Sequence, residues 1–320
     1  MMPVFGSKPD SSSAGPNMRP AFNLWIVLKA TLVVLGLALL AFVSYGIGVE
    51  PRFLLDREEI EAEVPDLPDG WDGQKVALLA DFQIGMWLGN GGMVEKAVRA
   101  ALDARPALVL IAGDFLYQPE AEKADRAVEI VRPLVEAEVP VVAVLGNHDY
   151  SLMKKGSDER PRIAEYLEER LRAIGVTVLE NDAVAIPAPD GGDSLWVAGI
   201  GSVWAEADDA EAALDAVPEG APRIVLMHNA EAYRDVPGGE APLALAAHTH
   251  GGQIRVPGAP RWSWLDIMRE DEVAVAGWAH SEIGAVGNRL YVNRGIGFST
   301  VPIRFNCRPE LTTITLRMEG

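Results

Sequence analysis

Five apolar segments of the sequence end in side chains that can bind a cation. In chain order these side chains are Asp81, Asp114, the run Asn147-His148-Asp149, the pair His228-Asn229, and the run His248-Thr249-His250. Four of the five histidines of the chain lie at these positions, and only His280 lies elsewhere. Because ligands of α/β sheets bind beyond the carboxyl ends of the strands, we expect the five groups to meet at one sheet edge.

The chemistry that suits these residue types is hydrolysis with two metal ions. Two divalent cations about 3.5–4 Å apart need a bridging carboxylate with further oxygen and nitrogen ligands, and they activate water as hydroxide near neutral pH. No cysteine takes part, so the mixed donors suit Mn, Fe, Zn or Mg, with Mn preferred. Each feature alone has a plainer explanation, since a strand-end Asp often forms a turn and a lone His often packs in a core. Five coincidences of residue type and position favour the metal site.

The segments around these groups predict alternating strands and helices. The predicted strands are 76–81, 107–114, 139–149, 195–202, 223–229, 243–250, 290–295 and 312–318, and the predicted helices are 93–104 and 121–137. The early strand–helix–strand order implies right-handed crossovers and a largely parallel sheet. Strands that are apolar almost throughout are typical of sheets covered on both faces. The sequence therefore predicts an α/β fold whose strand ends carry the site.

The N-terminal part of the chain is predicted to anchor the protein in a membrane. Residues 1–29 are predicted as a disordered tail, rich in Ser, Gly and Pro over its first part. Residues 30–49 are uncharged and, as a helix, long enough to span about 30 Å. A cleaved signal peptide is the alternative, although its apolar region is normally only about 7–15 residues.

Two further features concern the arrangement of anchor and domain. Three basic residues precede the span and two follow it, which favours a catalytic domain outside the cytoplasm: Lys8, Arg19 and Lys29 before it, Arg52 and Arg57 after it. Residues 50–73, acidic and interrupted by prolines, are predicted as a juxtamembrane connector. Residues 74–320 are predicted as the catalytic domain.

The composition limits the possible partners. The 320 residues carry a formal net charge of −18, which repels a polyphosphate backbone, so nucleic-acid binding is not expected. The single cysteine, Cys307, excludes a disulfide framework and a thiolate-rich metal site. Its most ordinary role is that of a buried structural thiol.

In order and spacing, these motifs resemble those of the calcineurin-like metallophosphoesterases. The matching series runs through Asp81, Gly113-Asp114, Gly146-Asn147-His148-Asp149, His228-Asn229 and His248-Thr249-His250. A membrane-linked bacterial subgroup is similar also in three further places: Glu50-Pro51, the loop His248–Gln253, and the tail from Asn293-Arg294-Gly295 through Pro302-Ile303-Arg304-Phe305. The resemblance implies a four-layer α-β-β-α sandwich of two mixed sheets, preceded here by one transmembrane helix.

The resemblance also implies a role for each site residue. Two sets of four ligands would hold one metal ion each and share one bridging carboxylate: Asp81, Gln83, Asp114 and His250 for the first ion, and Asp114, Asn147, His228 and His248 for the second. His148 would contact the substrate phosphate or protonate the leaving group, as a general acid does.

Two positions depart from the family pattern. Gln83 stands where the family usually has histidine. Either its carbonyl oxygen is a direct ligand, which is preferred, or its amide only bonds a water on the metal. Tyr117 stands where many members have an Asp that orients the catalytic histidine. Its phenol either hydrogen-bonds His148 or only lines the wall of the site, and Asp149 is the fallback candidate for orienting the imidazole.

Aromatic and basic residues beside the motifs bear on the substrate. The loops 86–88 and 262–268 are rich in Trp and Met, which either pack under the loops or form an apolar wall for an acyl chain or a bilayer surface. Arg255 and Arg294 are predicted to clamp a second phosphate of the substrate.

Together these features predict a membrane-anchored enzyme that hydrolyses a phosphoester or pyrophosphate bond of a small-molecule or lipid-linked substrate. Within the subgroup that the chain resembles, one candidate is UDP-diacylglucosamine, a lipid A precursor made on the cytoplasmic side. The alternatives are a non-catalytic metal-binding membrane protein of the same fold, and a nuclease. The presence of His148 and Asp114 disfavours the first, and the acidic composition disfavours the second.

Overall fold

The computed structural model describes residues 24–118, 120–152, 161–263 and 273–319. The helices in these ranges are α1 Leu24–Gly48, α2 Glu50–Phe53, α3 Gly91–Asp103, α4 Ala121–Glu136, α5 Pro161–Ala173 and α6 Ala210–Asp215. The strands are β1 Asp56–Val64, β2 Lys75–Leu79, β3 Leu108–Ala112, β4 Val141–Val144, β5 Thr177–Val178, β6 Asp182–Pro187, β7 Ser194–Gly199, β8 Arg223–Asn229, β9 Ala244–Ala247, β10 Arg255–Val256, β11 Ala259–Ser263, β12 Gly277–Trp278, β13 Leu290–Val292 and β14 Glu310–Met318. Short 3-10 turns cover Asp69–Trp71, Val203–Ala205, Ala230–Asp235 and His250–Gly252.

The strands form two mixed six-stranded sheets. The first has the order β1-β14-β2-β3-β4-β5 and is parallel except between β14 and β2. The second has the order β12-β13-β9-β8-β7-β6 and is parallel through β13, β9, β8 and β7, with an antiparallel strand at each edge. Every predicted strand and helix is present, and most strands end sooner than predicted because the polar residues after them form loops.

Three apolar layers hold the sheets and helices together. Leu78 and Leu110 of the first sheet pack with Leu226 and Leu245 of the second, so the two sheets face each other across one core. The outer face of the first sheet packs against α3, α4 and α5. The outer face of the second packs against α6 and the turn at Ala230–Asp235. The predicted four-layer α-β-β-α sandwich is confirmed, with a thin outer layer on the second sheet.

The segment predicted as a connector, residues 50–73, is largely part of the domain. Its β1 strand pairs in parallel with β14 and closes one edge of the first sheet. The alternate residues Arg57, Glu59, Glu61 and Glu63 of β1 are exposed, and three of these four are acidic. Charged side chains are expected on an edge strand, where they oppose pairing with another chain. The connector prediction was wrong because an acidic edge strand resembles a linker in composition.

Helix α1 begins at Leu24, before the predicted span, so residues 24–29 are helical and not part of a tail. The rest of the predicted tail lies outside the described residues. By length and composition, α1 with α2 is a candidate membrane span, and a signal sequence would pass the same test.

Of the residues that the structure describes, those from Leu24 to Ala41 belong to one compact unit and those from Phe42 onward to another. In the second unit, the Phe42 ring lies 4.3 Å from the Phe305 ring, and Arg304 donates its backbone N–H to the carbonyl of Gly46 at 2.9 Å.

Candidate metal centre

The polar residues that follow the strands come together at one edge of the two sheets. Asp81 and Gln83 follow β2, Asp114 follows β3, Asn147 and His148 follow β4, His228 lies in β8, and His248 and His250 follow β9. Five of these residues, all but Asn147, His148 and His228, have a positive φ between 50° and 74°. Such backbone costs about 1–3 kcal/mol per residue and persists where the surrounding structure requires it, as at functional sites.

Two sets of candidate ligands share the carboxylate of Asp114. One set contains Asp114, His228 and His248, and the other contains Asp81, Asp114 and His250. The ligand atoms within each set lie within 4.8 Å of one another. We call these the His228 group and the His250 group.

The two amide residues extend these groups. Asn147 Oδ1 lies 3.1 Å from His228 Nε2, beside the His228 group. Gln83 Nε2 lies 2.7 Å from Asp114 Oδ2 and 3.4 Å from His250 Nε2, beside the His250 group. The structure thus brings together all seven ligands that the resemblance implies, in the implied grouping. Their binding of metal stays a prediction.

The surroundings of His228 favour a positive charge. Its Nδ1 lies 2.7 Å from the carbonyl oxygen of Ala112, which can only accept, so Nδ1 carries a proton. Nε2 then faces Asp114 Oδ2 at 3.3 Å and Asn147 Oδ1 at 3.1 Å. Burial alone would lower the pKa of His228, but the charges of Asp114 and Asp81 raise the pKa to about 9. A proton on Nε2, or a metal ion, fits between Nε2 and these oxygens, and His248 Nδ1 lies 3.3 Å from the same nitrogen.

The two buried carboxylates also fit a cation. Burial raises the pKa of Asp81 to about 7, with His228 opposing the shift and Asp114 adding to it. Burial acts in the same direction on Asp114, but His228 and His148 hold the pKa of that carboxyl well below its usual range. Neither oxygen of the buried Asp81 carboxylate has a hydrogen-bond partner among the described residues. Carboxylate, amide and imidazole donors of this kind suit divalent cations such as Mn, Fe or Zn.

Gln83 has one satisfied and one unsatisfied amide atom. Its Nε2 donates to Asp114, while its buried Oε1 has no partner in the described part of the chain. A 180° rotation of the amide exchanges the two atoms and directs Oε1 at the centre of the His250 group. Direct ligation by Gln83 would need this rotation together with a cation, because the rotated Oε1 would otherwise face Asp114 Oδ2 as a second acceptor oxygen.

His148 lies beside the two groups and joins neither. Its Nδ1 lies 3.0 Å from the backbone carbonyl of Tyr117, and its ring stacks on the Tyr117 ring at 5.2 Å. Its Nε2 lies 3.4 Å from Ser299 Oγ. The carbonyl and the ring of Tyr117 orient His148, and the phenol hydroxyl takes no part.

Asp149, the predicted fallback for orienting His148, has a different task. Its Oδ1 accepts the N–H of Leu116 at 2.9 Å, and its Oδ2 accepts that of Gly146 at 2.9 Å. Asp149 thereby ties the loop after β3 to the loop after β4. The fallback prediction was wrong, because the carboxylate faces backbone amides and not the imidazole.

The structure gives the two predicted phosphate-binding arginines other partners. Arg294 pairs with Asp56 and Glu58, each at 2.9 Å, and with Glu310. A guanidinium bound by three carboxylates is not available to a phosphate, so its predicted role as a clamp was wrong. Arg255 donates its Nε to the carbonyl of Gly251 at 2.7 Å, and its side chain is half-buried.

In the loops rich in Trp and Met, some side chains are buried and others are exposed. Met86 is buried with Tyr117 and Phe298 in a small cluster next to His148. Trp87 and Leu88 are exposed, as is Trp262. The predicted segment 264–268 lies outside the described residues.

Three residues that shape the site had no role assigned from the sequence. A Cβ on Gly146 would lie 2.2 Å from Asp114 Oδ1, and one on Gly295 would lie 2.2 Å from Asp81 Oδ2, so neither position has room for a side chain. Both glycines belong to motifs that the resemblance picks out, Gly146-Asn147-His148-Asp149 and Asn293-Arg294-Gly295, and this could have indicated their role. Arg304 is fully buried and donates to the carbonyls of Gly295 and Gly297 at 3.1 and 2.7 Å, which holds the loop that faces Asp81.

The sandwich and the shared carboxylate between two ligand groups define a metallophosphoesterase. The family model for calcineurin-like phosphoesterases matches residues 74–252, and the chain belongs to this family. It is a phosphoester-hydrolysing enzyme. The family depends on divalent metals, in agreement with the candidate ligand groups.

Individual relatives agree with this assignment. The chain is 33% identical over 248 residues to phosphodiesterase YaeI of Escherichia coli strain K12, covering 76% of this chain and 82% of the relative. It is 25% identical over 304 residues to a transmembrane protein with metallophosphoesterase domain of Danio rerio, covering 92% of this chain and 62% of the relative. The solved structure of phosphopantetheinyl hydrolase PptH from Mycobacterium tuberculosis has 14% identity and a TM-score of 0.37, covering 56% of this chain and 83% of that one, and supports no conclusion.

Proposed function

We propose that this chain is a membrane-anchored phosphodiesterase or pyrophosphatase that uses two divalent metal ions and acts on a lipid-linked substrate. The proposal rests above all on Asp114, whose carboxylate belongs to both ligand groups. When bound, two such ions would polarise a phosphoryl oxygen and lower the pKa of an attacking water.

Asp114 and His148 have separate roles in the proposed reaction. Asp114 Oδ1 accepts the backbone N–H of His148 at 2.9 Å, while Oδ2 faces His228, so one carboxylate positions both the ligands and the imidazole. His148 donates Nδ1–H to the carbonyl of Tyr117, which leaves Nε2 to hold a proton and donate it to the leaving oxygen.

Apolar side chains near His148 support a substrate with an acyl or isoprenoid part. The cluster of Met86, Tyr117 and Phe298 forms an apolar wall beside the imidazole. Trp87 and Leu88 continue it at the surface, with 56% and 53% of their area exposed. The loop that carries them is tied to α2, because Arg52 donates to the carbonyl of Gly89 at 2.6 Å. The exposed apolar loop is therefore held beside the C-terminal end of the candidate span.

The anchor and its orientation are part of the proposal. Support comes from the length and apolar character of α1, and from the Danio rerio relative, which is described as a transmembrane protein. The basic residues around the span favour a domain outside the cytoplasm, where it would meet lipid-linked phosphates exposed on that side. UDP-diacylglucosamine, made on the cytoplasmic side, would need the opposite orientation. The net charge of −18 disfavours nucleic acid as a substrate.

A substrate panel tests the reaction class. We expect the full-length protein, purified in detergent and supplied with Mn, to hydrolyse bis(p-nitrophenyl) phosphate and a lipid-linked pyrophosphate much faster than p-nitrophenyl phosphate. The Asp114→Asn variant, purified in the same way, controls for contaminating hydrolases. A preference for the monoester would contradict the proposal. Metal binding without turnover of any of the three would indicate a non-catalytic metal-binding protein.

Substitution of Gln83 tests the His250 group. A neutral carbonyl oxygen binds Zn less well than an imidazole nitrogen does, so Gln83→His should tighten one of the two metal sites and raise its preference for Zn over Mn. Gln83→Ala should weaken the same site. Metal affinities measured by isothermal titration for each variant check this, with Gln74→His, outside the site, as the control. Unchanged affinities in both Gln83 variants would show that position 83 is not a ligand.

A further inference from the structure

A cavity of about 610 Å³ lies at the end of α1, apart from the metal centre. Its charged lining residues are Glu50, Asp56, Arg255, Arg294 and Arg308, of which Asp56 pairs with Arg294, and its aromatic lining residues are Tyr45 and Phe305. None of the candidate metal ligands lines it. The volume is that of a small-molecule site, and the metal chemistry leaves it without a role.

The charges of this cavity do not cancel. Glu50 is buried, and its carboxylate accepts the backbone N–H groups of Asn306 and Cys307 at 2.9 and 2.5 Å, which satisfies it locally. Arg294 is bound by carboxylates, as described above. Two guanidinium groups, those of Arg255 and Arg308, have no carboxylate partner among the described residues.

Arg255 and Arg308 present their charge in a form that suits an anion. Arg255 uses only its Nε, on the carbonyl of Gly251, and its two terminal nitrogens have no partner within the described ranges. Arg308 is exposed at the cavity. Guanidinium groups bind phosphate through paired N–H donors, so the cavity suits a phosphate group.

Exposed apolar side chains stand near the lining residues, along the chain and across the hairpin of β10 and β11. Val49 and Phe53 from the end of the span are exposed, and so are Val256 and Trp262 on the hairpin of β10 and β11. Trp is enriched where membrane meets water, and arginines there keep their charge at the level of the lipid headgroups. If the cavity lies at the level of the lipid headgroups, the phosphate groups nearest to it are those of the lipids.

We propose that this cavity binds the phosphate of an anionic bilayer phospholipid through Arg255 and Arg308. The inference rests on the proposed membrane anchor, because only an anchored domain keeps the cavity at headgroup level. A lipid held there would fix the β10–β11 hairpin against the bilayer. Arg255 bonds Gly251, next to the candidate ligand His250, so the same contact would hold the metal centre at a fixed height above the membrane.

Native mass spectrometry of the full-length protein in detergent tests the proposal. The protein is treated with EDTA, so that the metal centre offers no phosphate ligand, and is titrated with phosphatidylglycerol, phosphatidylcholine or inorganic phosphate. We expect one tightly retained phosphatidylglycerol per chain, weaker phosphatidylcholine, and no displacement by millimolar inorganic phosphate.

Matched variants locate the bound lipid. Arg308→Ala should weaken phosphatidylglycerol binding about five-fold, the effect of one interfacial arginine, and Arg255→Ala should do the same. Arg255→Lys keeps the charge and should lose less than Arg255→Ala. Arg162→Ala, which removes an exposed arginine of α5 outside the cavity, should bind like the wild type.

Three results would overturn the proposal. The first is equal retention of the two lipids. The second is retention of phosphatidylglycerol that is unchanged in both alanine variants. The third is displacement of the lipid by inorganic phosphate, which would make the cavity a site for free phosphate. The anchor is checked separately by carbonate extraction of membranes. Release of the chain into the carbonate fraction would reject the anchor even where the detergent experiment shows the lipid site.

Discussion

Replacing Asp114 with asparagine is expected to abolish turnover and to lower bound metal from two ions per chain to one or none. Asp114 is the one candidate ligand present in both groups, and its carboxylate offsets part of the repulsion between two cations. An amide keeps the shape of the side chain and loses its charge and one acceptor oxygen. Metal content by inductively coupled plasma mass spectrometry and the rate on a phosphodiester together measure the effect.

The control for Asp114→Asn is the same substitution at a carboxylate outside the site. Asp103→Asn changes an exposed side chain that forms an ion pair with Arg57 at 3.9 Å. It should retain both metal ions and full activity. Two metal ions and a normal rate in Asp114→Asn would show that this carboxylate does not bridge the centre.

Replacing His148 with alanine is expected to reduce the rate by about 10²–10⁴-fold and to leave the metal content unchanged. The imidazole belongs to neither ligand group, and its Nε2, 3.4 Å from Ser299 Oγ, is oriented by the bond from Nδ1 to the Tyr117 carbonyl. Its loss removes the proton donor for the leaving oxygen. Rates for a series of aryl phosphodiesters check this, because the loss should shrink as the leaving group becomes more acidic.

His280→Ala supplies the matched control, since this exposed histidine lies outside the site. It should match the wild type in rate and in metal content. An equal loss in His148→Ala for good and poor leaving groups would argue against proton donation, with charge stabilisation of the phosphate as the alternative. Loss of metal in His148→Ala would make His148 a ligand.

Much of the site could be predicted because its signals are local in the sequence. Asp81, Asp114 and His228 each stand at the end of an apolar run, and parallel strands bring such ends to one edge. The assignment of ligands to two groups came from the family resemblance. Composition and periodicity alone do not say which imidazole approaches which carboxylate.

The parts that could not be predicted depend on contacts between distant residues or on backbone atoms. Two of the three carboxylate partners of Arg294, Asp56 and Glu58 on β1, are more than two hundred residues away along the chain. His148 is oriented by a backbone carbonyl, whose direction no residue type reveals. The β1 strand was missed for a related reason, because a strand with one face in solvent carries the charges of a linker.

Anomalous diffraction from crystals loaded with Mn would show directly whether two metal ions share Asp114. We expect two Mn peaks about 3.5–4 Å apart, one beside His228 and His248 and the other beside Asp81 and His250. Both peaks should lie within bonding distance of the Asp114 carboxylate. A single peak, or two peaks of which only one contacts Asp114, would show that this carboxylate does not bridge two ions.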